Sequence, residues 1–189
     1  MMPRFLLPLF QTLVLLSIST GCQHTYEESR SPQISPRPRL NPSAIAYAPI
    51  PPDLKYKDGF IQDSGKRAAY ALQAEFAKYV RRAYVGRRVE TLEESLETAK
   101  SVQAEYCLYA TVMRWEDHST ENWGIRDKLE IQVQIVEVDT GNVLDKTILK
   151  GKSRMMTDGG DTPEDLLVEP IRNYAASFFN PIATPSALR

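Results

Sequence analysis

An α/β domain with a mixed sheet of about five strands and three main helices is the fold class this sequence predicts. A signal peptide and a disordered, proline-rich tether precede it. Three observations carry the prediction. Residues 44–180 alternate strand-like and helix-like patterns early, then run as hairpins. The helical stretches place apolar residues three and four apart, while the longest strand stretch alternates with period two. The 189 residues, 42% hydrophobic and 25% charged, suffice for one core of ordinary size and leave little room for two.

The chain opens with Arg4 and an apolar run from Phe5 to Ile18. As a helix, those residues would reach about 21 Å, short of the ~30 Å hydrocarbon layer, so the run reads as a secretory signal and not a span. Ser19-Thr20-Gly21-Cys22 then resembles the lipobox of bacterial lipoproteins, with Ser19 where the family usually has Leu. The resemblance implies cleavage after residue 21 and acylation of Cys22. Small side chains admit the peptidase, and the thiol carries the lipid. Gln23, rather than Asp, resembles the pattern sent to the outer membrane, with the domain facing the periplasm. Cleavage removes only Arg4 among the charged side chains and leaves 22 basic and 24 acidic ones. Attachment therefore rests on lipid, each buried CH₂ contributing ~0.8 kcal/mol.

Residues 22–43 read as the acylated cysteine and the tether. Seven of the 13 prolines lie between Pro32 and Pro52, and only Ile34 and Leu40 are large aliphatics before Ser43. Such a segment buries too little to offset its ordering entropy, and as polyproline II it would span up to ~65 Å. Residues 181–189 read as a flexible tail.

Within the domain, Ser43 to Ile50 is a first strand ended by Pro51-Pro52. Ser64 is positioned to cap a helix to about Arg82, with Ala68, Leu72, Phe76, Tyr79 and Val80 on one stripe. Tyr84 to Val89 is a short strand. Thr91-Leu92-Glu93-Glu94 is a capping-box pattern opening a second helix that buries Leu92, Leu96, Ala99 and Val102. Glu105 to Trp115 and Lys128 to Asp139 are strands, the latter with Leu129, Ile131, Val133 and Ile135 on its drier face. Asp139-Thr140-Gly141-Asn142 turns into a returning strand over Val143 to Lys152. Thr162 is placed to cap the last helix with Pro163 at its first position, and Pro170 should kink or split it.

The blocks Glu105-Tyr106, Arg114-Trp115-Glu116-Asp117, Val138-Asp139-Thr140-Gly141, Lys150-Gly151-Lys152-Ser153 and Gly159-Gly160-Asp161-Thr162-Pro163-Glu164-Asp165-Leu166-Leu167 resemble a family of small proteobacterial lipoproteins with a domain of unknown function. The likeness covers about residues 44–180. More distantly, the element order is similar to the TolB amino-terminal domain and to CsgG-like and LpoB-like periplasmic domains, which implies a binding or assembly module.

Function classes narrow by exclusion. A net charge of −1 gives no basic field for nucleic acid, and the compartment excludes it as a partner. Two cysteines and two histidines argue against a disulfide scaffold and a multi-histidine metal site. No phosphate-binding glycine loop, nucleophile elbow or calcium-loop spacing occurs, so no cofactor is expected. Cys107 reads as an apolar core residue.

Two surface constellations remain. Trp115, Glu116, Asp117 and Trp123, with His118, Glu121 and Asp127 nearby, would suit sugar stacking or an acid/base pair. The plainer alternative is a core tryptophan with solvated acids. Lys78, Arg81, Arg82, Arg87 and Arg88 would suit an anionic partner, or are a solvated helix end. The expectation is a non-catalytic, lipid-anchored module docking on an envelope protein or peptidoglycan. A glycan-binding or glycan-processing domain is the rival.

Overall fold

The computed structural model describes residues 24–34, 36–117, 126–153 and 162–179. The element order is β1 (Thr25–Arg30), β2 (Ile45–Ile50), β3 (Lys55–Tyr56), β4 (Gly59–Phe60), α1 (Ser64–Phe76), β5 (Arg82–Val89), α2 (Leu92–Ser101), β6 (Tyr106–Glu116), β7 (Lys128–Glu137), β8 (Val143–Lys152) and α3 (Asp165–Ala176). The fold is α/β. One mixed sheet has the order β1-β8-β7-β6-β2-β5, and β3 pairs with β4 in a separate small hairpin.

β2 runs parallel to both β5 and β6, because α1 and α2 carry the chain back across the sheet between parallel strands. The remaining neighbours, β6–β7, β7–β8 and β8–β1, are antiparallel. Leu129, Ile131, Val133 and Ile135 of β7 enter one core with Leu72 and Phe76 of α1 and Leu166, Ile171 and Tyr174 of α3. On the opposite face, α2 covers a smaller cluster that includes Tyr47, Ala99, Cys107 and Val136. Half-buried Glu130, Gln132 and Gln134 occupy the alternating positions of β7, so this face is the wetter one.

The main sheet has six strands where about five were expected. The additional strand is β1, which lies inside the stretch read as a disordered tether. It pairs along the β8 edge, from Thr25 opposite Lys152 to Arg30 opposite Thr147. Downstream, Leu40 is buried in the main core and its amide donates to the Phe178 carbonyl at 3.4 Å. The reason is that β1 is held by backbone pairing and by arginines that meet a buried acid. Aliphatic content registers neither contribution.

Three local expectations also shift. Ser64 is not the cap of α1. Asp53, ten residues upstream, accepts from the amides of Asp63 (3.1 Å) and Gly65 (2.9 Å), and the Ser64 hydroxyl accepts from the Leu54 amide at 2.9 Å. Thr162 does not cap α3 with its own oxygen. Its amide and hydroxyl both donate to Asp165, at 2.9 and 3.0 Å, ahead of a helix that begins at Asp165. α3 also stays one helix across Pro170, which is buried. The Thr91–Glu94 capping box of α2 forms as expected, with the Thr91 amide donating to Glu94 at 2.8 Å and the Glu94 amide to Thr91 at 3.3 Å.

Candidate functional site

β6 ends at Trp115 and Glu116, where period-two alternation sends the two side chains to opposite faces. Trp115 points into the main core and is only 7% exposed. The guanidinium of Arg67, from the second turn of α1, lies 5.8 Å from its ring centroid. Arg67 also pairs with Glu164, ahead of α3. Little of the Trp115 ring is left for a sugar to stack on. Glu116 lies on the other face, 3.2 Å from Lys128 and 3.6 Å from Arg114. Asp117 is exposed beyond the strand. Trp123, His118, Glu121 and Cys22 lie outside the described residues, as do Asp158 to Asp161.

The basic residues do not converge. Lys78 folds back onto buried Glu75 at 2.5 Å, and Arg172 of α3 approaches the same carboxylate at 3.7 Å. Arg82 donates to the Tyr84 hydroxyl at 2.9 Å. Arg88, at the far end of β5, sits 3.6 Å from Glu90 and 3.5 Å from Glu94. Arg82 and Arg87 are five residue steps apart along the strand, roughly 16 Å. Exposed Arg87 shares two shallow clefts with Tyr84, Val85 and Gly86, one on each face of β5. The cleft on the α2 side, about 530 Å³, also touches Tyr47, Glu90 and Thr98.

The groups with most chemical potential are those the sequence did not single out. Asp145 on β8 is fully buried and accepts from Arg30 at 2.5 Å, Thr147 at 2.7 Å and Tyr174 at 2.9 Å. Arg37 stands 3.7 Å from the same carboxylate, with its guanidinium 4.9 Å from the Phe178 centroid and 5.3 Å from that of Tyr174. Burial, and then the neighbouring Asp145 charge, push the Tyr174 phenol well above its ordinary range. Two arginines in a proline-rich stretch and one acid in an alternating strand are the available signals, and nothing in their spacing links them.

Glu90 is the second such group. It accepts from Tyr47 at 2.9 Å and Thr98 at 3.0 Å. Burial, reinforced by that bond, raises the Tyr47 phenol. Nearby, burial pushes the Cys107 thiol up to about 11, and its sulfur lies 3.4 Å from the Ser95 hydroxyl. As a neutral thiol in an apolar cluster it is a poor nucleophile. Among the described residues, no group of three or more His, Cys, Asp or Glu could hold a metal ion.

Similar folds are known. A PelC dodecamer from Paraburkholderia phytofirmans matches with a TM-score of 0.58 at 14% identity, over 83% of this chain and 98% of that chain. At that identity the match speaks for the fold alone. Protein XCC0632 from Xanthomonas campestris, TM-score 0.47, is 10% identical over 75% of this chain and 85% of its own. Lipoprotein GNA1162 from Neisseria meningitidis, TM-score 0.38, is 12% identical over 72% of this chain and 97% of its own. No curated protein matches the sequence. The model of a family described as a domain of unknown function (DUF4823) matches residues 38–178, and the chain belongs to that family.

Proposed function

We propose that this chain is an outer-membrane lipoprotein, acylated at Cys22, whose periplasm-facing domain binds or assembles with an envelope partner and catalyses no reaction. The observation that carries the non-catalytic part is the use made of the buried ionisable groups. Asp145, Glu90 and Glu75 are each engaged by side chains from other elements, Glu75 by Arg172 of α3. A catalytic carboxylate needs a face turned to substrate; Asp145 and Glu75 are turned into the fold, and Glu90, which borders the cleft on the α2 side, has both oxygens engaged by Tyr47 and Thr98. The lipobox and Gln23 support the anchor and its destination. The clefts on both faces of the β5 edge supply a surface for a partner, and the fold likeness to a subunit of a PelC dodecamer is in keeping with assembly.

The test is fractionation of envelope membranes on a density gradient. The wild-type protein is expected with the outer membrane and a Cys22→Ala variant away from that fraction. Co-migration of the two proteins would contradict the anchor.

A further inference from the structure

We propose that the end of the sheet bearing the β3–β4 hairpin is a second membrane contact, which lays the domain on the lipid surface. The inference rests on acylation of Cys22, as proposed above, and adds the face that meets the bilayer. β1 begins at Thr25, three residues after Cys22. Three extended residues reach about 11 Å at most, so the lipid enters beside the first residue of β1. Instead of hanging on a spacer of up to ~65 Å, the domain is held close.

Strand register identifies the end concerned. Thr25 lies opposite Lys152, Lys152 opposite Lys128, and Lys128 opposite Glu116. The carboxyl ends of β6 and β8 therefore share this end with the start of β1. β2 is parallel to β6, so the segment leaving β2, which contains the hairpin, emerges there too. Packing agrees with topology. Arg67, four residues into the helix that follows the hairpin, lies 5.8 Å from the ring centroid of Trp115, the last buried residue of β6.

The hairpin has the composition of an interfacial element. Phe60 is 68% and Tyr56 52% exposed, the two largest values among the aromatic side chains described. Exposed Lys55 and Lys57 alternate with them, and with Asp58 the hairpin is net cationic. Exposed Lys152 stands beside the start of β1. Aromatic rings settle at headgroup depth, and ammonium groups meet anionic phosphates. Lys55 pairs with Phe60 and Tyr56 with Gly59, so the two rings leave opposite faces of the hairpin. A protein partner would cover one face; a lipid interface immerses both. The acyl chains supply the attachment, and the hairpin sets the orientation.

The experiment uses the acylated full-length protein in phosphatidylethanolamine vesicles with about a quarter phosphatidylglycerol. A polarity-sensitive fluorophore is placed by Phe60→Cys, or by Asp139→Cys on the turn at the opposite end of the sheet. Buried Cys107 and acylated Cys22 stay unlabelled. The probe at 60 is expected to shift to the blue and to be quenched by headgroup-level spin-labelled lipid at least about twice as strongly as the probe at 139. Adding Lys55→Glu and Lys57→Glu should weaken that quenching. Water-like emission at both positions in vesicle-bound protein overturns the contact and leaves the anchor standing. A blue shift insensitive to the quencher puts the hairpin against protein and also overturns it. Protein that carries no acyl group and stays off the vesicles overturns both.

Discussion

Asp145 is the residue on which most of the amino-terminal segment depends. A fully buried carboxylate is tolerable only when its charge and lone pairs are met, and Arg30, Arg37, Thr147 and Tyr174 meet them. Asp145→Ala strands two guanidinium groups, so urea denaturation should show a loss of about 3–5 kcal/mol. Glu90 poses the same problem on the α2 side. Tyr47→Phe removes one of its two hydroxyl donors and should cost about 1–3 kcal/mol in the same measurement. The raised groups also set an alkaline limit. Cys107, normally at 9.0, is pushed to about 11, and Tyr47 and Tyr174 rise above their usual 10.0. The unfolded chain therefore loses these protons first. Stability is full below pH 9.0 and falls as pH rises through that window, by up to about 1.4 kcal/mol per unit for each group. Urea midpoints measured across that range should decline, and Tyr47→Phe should flatten the decline. A midpoint that held steady to pH 11 would contradict the burial of these groups.

At the level of elements, local chemistry was legible where it was contained within a few residues. The Thr91–Glu94 box closes over three residues, and the alternation of Leu129 to Ile135 states its own face. Thr91→Ala should lower stability by about 0.5–2 kcal/mol, read from thermal unfolding. Longer-range partners were not legible. The donors at the start of α1 are met by Asp53, brought back across the hairpin, so Ser64 looked like the cap when it is not. Gly65 marks the same fold-back. A Cβ there would run into the Pro51 carbonyl, and Gly65→Ala should destabilise more than an ordinary helix substitution. β1 was hidden for a related reason, because an edge strand tied by backbone bonds and a distant acid leaves no apolar period. The candidate surface suffered in the same way. The five basic residues are close in sequence but sit at the two ends of β5, and Trp115 is a core residue beneath Arg67.

On the scale of the whole molecule, one sheet end gathers the start of β1, the hairpin aromatics and exposed lysines, while α2 and β5 present the clefts. Under the proposed anchor at Cys22, this arrangement would turn one end to the bilayer and leave the β5 edge of the sheet open to a partner. Loss of β1 should be felt throughout, since it uncovers the β8 edge and leaves Asp145 without Arg30. A chain lacking residues 24–34 is expected to unfold at a lower temperature than the Asp145→Ala variant does. The central claim is that the protein is held to the membrane through the sulfur of Cys22, and intact-mass spectrometry of protein purified from envelope membranes tests it most directly. The expected mass is that of residues 22–189 plus one thioether-linked diacylglycerol, with or without one amide-linked acyl chain on the new amino terminus. A species retaining residues 1–21, or one beginning at an unmodified cysteine, would contradict it.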